Sequence, residues 1–321
     1  MCHSIGREEV PKLQELTFTF QNDSVHHVFV YHWYPSDDFL PLRGIVQIAH
    51  GMTETAKRYE RFAQFLIQSG YIVYANDHRG HGKTAGSQEE LGWPGKDGLN
   101  GMVRDMITLA EMIQDKHPKL PLFLMGHSMG SFLTQKIMYS RPELYAGFIL
   151  SGTNGPRPML SVGERIARLQ IRLQGEEHRS LLLNALTFGN FNKRFLPVHT
   201  PFDWLSRDQE EVEKYVKDPH CGFLCSAGFF QQFFSLLQEI HRPEQMRRIP
   251  KDKPVYVFSG ASDPVGLYGE GVRRLVHRYE QLGLLDVEVK LYPEGRHEML
   301  NETNRDEVTF DTINWLERHL P

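Results

Sequence analysis

One stretch constrains this chain more than any other: Leu122-Phe-Leu-Met-Gly126-His-Ser128-Met-Gly130-Ser-Phe-Leu133. Its short apolar run reads as a buried parallel strand, and it passes through Gly-His-Ser-Met-Gly directly into a helical pattern. A serine at that junction sits on a nucleophile elbow, a sharp turn that projects the hydroxyl toward a general base. Gly126 and Gly130 supply positions where a Cβ would meet closely packed backbone. Ser128 also opens a helix, whose unpaired N–H groups and dipole favour the oxyanion formed after attack. The bare pentapeptide is a weak signal, since a glycine-rich turn capped by serine has the same letters. The strand before it and the helix after it give it meaning.

At 321 residues the chain suits one α/β domain carrying an insertion. A net charge of −4 leaves no basic footprint, so no nucleic-acid partner is expected. Met1-Cys-His-Ser-Ile-Gly-Arg-Glu-Glu lacks the apolar core of a secretory signal. No apolar run approaches the about eighteen residues of a membrane-spanning helix, so no integral segment is expected, while transient contact with a membrane surface stays open. The three cysteines, Cys2, Cys221 and Cys225, build no disulfide framework. Cys221-Gly-Phe-Leu-Cys225 has neither redox spacing nor a second ligand pair, so free structural thiols and a cytoplasmic location are expected. Oligomeric state is not legible.

Leu13 to Gln21 alternates apolar and polar residues, and Val25 to Tyr34 is rich in valine and aromatics. With Asn22-Asp23-Ser24 between them they form a β-hairpin, followed by a loop from Pro35 to Arg43. Gly44–Ala49 is a buried strand, and Tyr59, Phe62, Ala63, Leu66 and Ile67 share one helix face closed by Gly70. Tyr71–Ala75 is the next strand, and Val103, Met106, Ile107, Ala110 and Ile113 face a helix ended by Pro118. After the elbow comes a strand over Ala146–Leu150. The alternation implies a parallel sheet with helices on both faces.

That pattern stops at Gly152. From Thr153 to about Ser235 no comparable strand occurs. An amphipathic helix lies near Arg165–Gln174, a proline-punctuated loop spans Pro197–Pro201, and a charged helix opens at Ser206. Alternation resumes with Val255–Phe258, a helix over Gly271–Gln281, the strand Val287–Leu291 and a helix over Asp306–His319. The expected organisation is therefore a hydrolytic core over 1–152 and 236–321, interrupted by a helical cap over 153–235. The cap carries nine phenylalanines and one tryptophan, among them Phe188, Phe191, Phe202 and Trp204. Any single one suits the cap's own core, but so small an insert can hardly bury them all. Some, with Phe188 and Trp204 foremost, face the cleft as an apolar pocket for substrate, beside Gly51.

An acylating serine needs a base, and the base needs an orienting acid. Asp263 follows the strand Val255–Phe258, and His297 follows Val287–Leu291. Both fall just beyond strand carboxyl ends, where open α/β sheets bind ligands. The chain order Ser128, Asp263, His297 is the order this elbow type uses. The oxyanion donors are expected at the amide of Met129, next to the nucleophile, and at that of Met52 in the loop Ile48-Ala-His50-Gly51-Met52. His50 is read as a residue shaping that loop. Asp77, His78 and His81 lack any zinc-ligand spacing, and a serine triad needs no metal or other cofactor.

Five motifs in order carry a family resemblance: His50-Gly-Met-Thr-Glu with Arg58-Tyr59, Asn76-Asp-His-Arg-Gly-His-Gly82, Gly126-His-Ser-Met-Gly130, Ser259-Gly-Ala-Ser-Asp263-Pro and Gly295-Arg-His297. On these the chain resembles the monoacylglycerol lipase and lysophospholipase branch of the α/β-hydrolase fold, the serine-aminopeptidase-like hydrolases. The resemblance covers nearly the whole core and fades in the cap. It implies a nucleophile at Ser128, an acid at Asp263, a base at His297 and oxyanion donors at Met52 and Met129. The chain departs from that family at Thr84, where a serine is frequent, and at Thr55, where a histidine is frequent. Both positions are expected beside the leaving-group side.

The expectation is a serine carboxylester hydrolase working through an acyl-enzyme on a small acyl ester, a monoacylglycerol or lysophospholipid by resemblance. Lys193-Arg194 reads as a solvated pair, with a lipid phosphate as the other reading. Ser128 argues against carboxylate-nucleophile chemistries. A peptidase or amidase would need an acidic pocket, for which Glu54, Glu210, Glu211 and Glu213 are the available groups. An acyltransferase on the same triad and a non-catalytic binding protein on this scaffold stay open.

Overall fold

The computed structural model describes residues 12–22, 27–36 and 41–321. Cys2, the amino-terminal segment read for a signal, part of the hairpin turn, Val25 and part of the loop before Gly44 lie outside the described residues. The first half contains β1 (Leu13–Gln21), β2 (His27–Pro35), β3 (Gly44–Ala49), α1 (Glu60–Gln68), β4 (Tyr71–Asn76) and α2 (Gly98–Lys116). β5 (Leu122–His127), α3 (Met129–Ser140) and β6 (Gly147–Ser151) follow. Next comes a purely helical stretch with α4 (Leu160–Gln174), α5 (Leu181–Phe188), α6 (Gln209–Lys217), α7 (Ala227–Ile240) and α8 (Pro243–Met246). The chain closes with β7 (Val255–Gly260), α9 (Glu270–Gln281), β8 (Val287–Tyr292) and α10 (Arg305–Arg318).

The eight strands form one sheet in the order β1-β2-β4-β3-β5-β6-β7-β8. β1 and β2 run antiparallel at one edge and join β4 antiparallel, while every pair from β4 through β8 is parallel. This is the parallel sheet that the alternation implies, and the α/β-hydrolase fold that the family resemblance implies.

The sheet is buried on both faces because its central strands are apolar at successive residues. Leu122 and Leu124 join a core cluster with α2, α3 and α9, whereas Phe123 and Met125 join a second cluster with α1 and α10. Two-residue periodicity sends neighbouring side chains to opposite faces, so a continuous apolar run is what a two-sided strand needs.

The expected elements fall close to the observed ones, with shifts at their ends. α2 opens at Gly98, ahead of its periodic face. α6 opens at Gln209, because the Asp208 side chain accepts the Glu210 and Glu211 amides as N-cap, whereas Ser206 lies before the helix. α5 and α7 were not expected as helices. α7 is capped by Ser226 and buries Phe229, Phe230, Phe233, Phe234 and Leu237, a helical spacing masked by the density of phenylalanine. It packs on α4 and on the core helices α2 and α3, so the boundary expected at Ser235 falls inside one continuous helix.

Candidate active site

β5 delivers Ser128 to the carboxyl edge of the sheet with φ 51° and ψ −116°, left of the conformations a non-glycine residue prefers. Three contacts hold that strained residue. Its N–H donates to the Ser151 carbonyl at 2.9 Å, and its carbonyl accepts from the Ser131 amide at 2.9 Å and the Ser131 hydroxyl at 2.6 Å. A Cβ at Gly126 would overlap the Gly130 carbonyl, and one at Gly130 would overlap the Ala49 carbonyl. Both glycines are there because strand, turn and helix approach too closely for a side chain.

The loops after β7 and β8 bring Asp263 and His297 together, with Asp263 Oδ2 3.0 Å from His297 Nδ1. The Asp263 carboxylate also accepts from the Ser259 hydroxyl at 2.9 Å and the Val265 amide at 2.8 Å. Burial alone would raise the Asp263 pKa. The adjoining imidazole, with these hydrogen bonds, outweighs burial and holds it below the usual carboxylate value. For His297 burial works downward, yet the Asp263 carboxylate raises it above the usual histidine value. A carboxylate on Nδ1 fixes the imidazole with Nε2 as its free, basic nitrogen. Ser128 and His297 open into the same cavity, and in this resting state the Ser128 hydroxyl is not hydrogen-bonded to the imidazole.

Gly51, Met52, Ser128, Phe188, Trp204 and His297 all line one cavity of about 360 Å³. Among the described residues neither the Met52 nor the Met129 amide donates to a protein acceptor. Met129 begins α3, and the Gly51–Met52 turn lies across from it, where a Cβ on Gly51 would fall 3.3 Å from Ser128 Cβ. Phe202 and Phe223 extend the apolar wall. Phe229 and Phe230 are fully buried in the packing of α7 instead. A smaller cavity of about 50 Å³ also begins at Ser128 and Met52, and Phe188 walls both.

Several residues around the site were not anticipated. Arg58 grips Glu298 with two bonds of 2.7 and 2.6 Å and reaches Glu54 at 2.6 Å. Glu54 in turn accepts from the Gly51 amide at 2.5 Å and from Tyr59 at 3.0 Å. Against a burial term that raises it, Arg58 pulls the Glu298 carboxyl down to about 2. This triplet holds the oxyanion loop and the segment after His297 to one another. Glu54, Arg58 and Tyr59 stood together in the first family motif, but nothing in the sequence paired them with Glu298. His127 lies against His297, ring centroids 4.7 Å apart, and pairs with Ser151 at 3.1 Å. Burial, with the neighbouring His297 charge, lowers its pKa to about 4. The helical stretch also reaches the segment of His297: the Glu298 amide donates to the Leu205 carbonyl at 2.7 Å, and the Trp204 ring sits 5.0 Å from the His297 ring.

Other expectations resolve differently. Thr55 and Thr84 are not beside a leaving group. Thr55 donates to the Asp77 carboxylate at 2.8 Å and Thr84 to the Asp77 carbonyl at 2.7 Å, so both hydroxyls fix the glycine-rich loop. Asp77 further accepts the Ala56 and Lys83 amides at 2.8 Å each, which accounts for its burial. His50 is buried, with Nδ1 on the Gly51 carbonyl at 2.7 Å and Nε2 accepting the His78 amide at 2.9 Å. It shapes the loop as expected. Arg194 is exposed and stacks on Tyr268 at 3.7 Å. Cys221 and Cys225 are free thiols, both pushed up by burial. Glu211 and Glu213 pair with Lys214 and Lys217 on α6, and Glu210 is exposed, so they line no acidic pocket. No helix among the described residues is long and apolar enough to cross a membrane.

A family model described as serine aminopeptidase, S33 matches residues 41–304. The chain is 32% identical over 294 residues to a monoacylglycerol lipase of Mycolicibacterium smegmatis, covering 90% of this chain and 92% of the relative. It is 28% identical to the monoglyceride lipase of Homo sapiens, over 75% of this chain and 71% of that one. Among solved structures, a thermostable carboxyl esterase from Bacillus coagulans superposes with a TM-score of 0.88 at 32% identity, covering 96% of this chain and 99% of that one.

Proposed function

The chain belongs to the serine aminopeptidase, S33 family of α/β-hydrolases, and from that membership we propose how it acts. It is a serine carboxylester hydrolase whose substrates are single-chain lipid esters such as a monoacylglycerol or lysophospholipid. The substrate class draws on the names of the relatives and on the aromatic wall of Phe188, Phe202, Trp204 and Phe223. Ser128 Oγ attacks the acyl carbonyl while His297 Nε2 takes its proton. The oxyanion is held by the Met52 and Met129 amides, and Asp263 steadies the imidazolium. Collapse of the tetrahedral intermediate breaks the ester bond, and His297 returns the proton to the leaving alcohol. Water then attacks the acyl-enzyme with His297 again as base, releasing the acid and restoring Ser128.

The observation that carries this reading is the buried 3.0 Å Asp263–His297 bond, made at the wall of a cavity that Ser128 shares. The segment 153–235 acts in this reading as a cap over that cavity. Leu169, Leu173, Leu181, Leu182 and Leu186 stand exposed on α4 and α5, an apolar face suited to transient contact with a lipid surface. Free thiols at Cys221 and Cys225 suit a reducing compartment and support a cytoplasmic location. The family's peptidase label finds little support, since Glu54 and Glu298, the acidic residues lining the cavity, are already held by Arg58, and Glu54 also by Tyr59 and the Gly51 amide. A fluorophosphonate probe tests the assignment: it should label the intact protein and not Ser128→Ala. A hydrolysis panel of graded esters, a monoacylglycerol, a lysophosphatidylcholine and an aminoacyl amide then fixes the class. Undiminished labelling of Ser128→Ala would move the nucleophile elsewhere.

A further inference from the structure

Among the described residues, six non-glycine residues have positive φ, and two of them, Ser128 and Thr53, line the larger cavity. The strain at Ser128 belongs to the elbow. Thr53, at φ 55°, has no such turn to account for it, and it is the β-branched residue of the six. A branched Cβ crowds the backbone in the left-handed region, so a threonine stays there only where its surroundings hold it. Thr53 directly follows Met52, whose amide is read as an oxyanion donor.

What holds it comes from the helical stretch. The Thr53 carbonyl accepts from the Tyr215 hydroxyl of α6 at 2.8 Å and from the Gly222 amide of the following loop at 2.9 Å, which occupies both lone pairs of that oxygen. The Thr53 hydroxyl lies 2.9 Å from the same phenol oxygen. A carbonyl only accepts, so the phenol hydrogen goes to the carbonyl and the threonine hydroxyl donates to the phenol. Tyr215 thus grips one residue at two points. Its ring is buried, with the Phe202 ring 5.0 Å away and the Arg58 guanidinium 4.9 Å from its centre. On the other side of Met52, the Gly51 amide donates to the Glu54 carboxylate at 2.5 Å. The turn that carries the Met52 amide therefore has one anchor within the loop itself and one in the helical stretch.

A backbone N–H stabilises an oxyanion best when its direction is set before the charge forms. The Met52 amide donates to no protein acceptor among the described residues, so its direction follows from the dihedrals of the turn. We propose that Tyr215 is a positioning residue for the oxyanion hole: with the Gly222 amide, its hydroxyl holds Thr53 in the left-handed conformation and so aims the Met52 amide at the oxyanion. Without that grip Thr53 relaxes toward negative φ, and the turn carrying the Met52 amide rotates with it. Tyr215 acts through Met52 and needs no contact with the substrate. This rests on the reading of Ser128 as nucleophile with Met52 as an oxyanion donor.

The test is Tyr215→Phe in the full-length protein, which keeps the ring and removes the hydroxyl. An oxyanion donor acts in the transition state, so kcat for a short-chain ester should fall by about tenfold with KM nearly unchanged. Affinity for a trifluoromethyl ketone, which forms a tetrahedral oxyanion on the nucleophile, should fall by the same factor, and affinity for an unreactive ether of equal length should not. In a Thr53→Gly background the left-handed conformation crowds no Cβ, so Tyr215→Phe should cost about threefold or less. If thermal melting shows Tyr215→Phe to be unfolded, Thr53→Val decides, since it leaves Tyr215 in place and removes the hydroxyl that donates to it. A fall of about threefold in kcat at constant KM is expected there, and none overturns the proposal. An unchanged kcat in folded Tyr215→Phe overturns it too. So does a raised KM at constant kcat, which makes the phenol a substrate contact. Equal losses of ketone and ether affinity overturn it in favour of a merely structural role, and an undiminished loss in the Thr53→Gly background detaches the effect from Thr53. Ser128→Ala separates the two levels: activity surviving there sinks the nucleophile assignment, whereas a silent Ser128→Ala beside an unchanged Tyr215→Phe sinks only the role of Tyr215.

Discussion

The sheet edge and the helical stretch above it solve opposite problems. At the edge, charged groups are buried and paired: Asp263 accepts three hydrogen bonds, and Arg58 is clamped between Glu54 and Glu298. Above it, α4 and α5 leave apolar side chains in solvent, with Leu173 76% and Leu181 70% exposed, and line a cleft with aromatic rings. Chemistry that moves a proton over one bond length needs groups pinned by strands and hydrogen bonds. Recognition of a flexible chain needs only shape and apolar area, which aromatic side chains supply with loose geometry. The division is not complete. Trp204 and Leu205 of the helical stretch brace the segment of His297, so the two regions are mechanically joined.

That contrast makes graded predictions. Ser128→Ala should lower ester turnover by roughly 10⁴–10⁶ while leaving the unfolding midpoint almost unmoved. A large drop in stability instead would mean that the hydroxyl is structural. Asp263→Asn should cost about 10⁴ in turnover, through loss of the imidazole's orientation. The same variant sharpens a pH argument. With neutral His297 as the proposed base, kcat/KM should fall as pH drops through its pKa, and in the parent that acid limb should lie above 6.5. Removing the Asp263 charge removes the chief upward influence, so the limb should move to lower pH; an unmoved limb would detach it from His297.

Arg58→Met probes the buried charges without touching the triad. It leaves Glu54 and Glu298 without their shared cation and should destabilise by about 3–5 kcal/mol, read from urea unfolding. Less than 1 kcal/mol would show that the triplet adds little. The smallest effect belongs to the cap. Phe188→Ala should raise KM for long-chain esters by about tenfold with a lesser change in kcat, since it removes apolar area common to ground and transition states. An equal fall in kcat would place the cap inside the chemistry rather than beside it.

How far the sequence alone reached follows the same division. The elbow was legible because Gly126, Ser128 and Gly130 answer a local steric demand, and local demands are written in consecutive residues. Strands β4 to β7 were legible because a sheet covered on both faces needs near-continuous apolar runs, and the edge strand β8 because its apolar and charged residues alternate. α7 was not read as a helix, although Ser226 and its phenylalanine spacing carried the signal. The positions of Thr55 and Thr84 were misjudged because their partner, Asp77, is reached only once the chain has turned back on itself.

The meeting of Ser128, Asp263, His297 and the Gly51–Met52 turn was therefore legible in the chain as written, since each follows its own strand and strand ends converge at one edge of such a sheet. Tertiary structure alone decided the rest: that Arg58 would neutralise two acids 4 and 240 positions away, and that Trp204 and Leu205 would pack against the segment of His297. Those contacts join residues distant in the chain, and a side chain's partner depends on where the backbone carries it, which no run of neighbouring letters records.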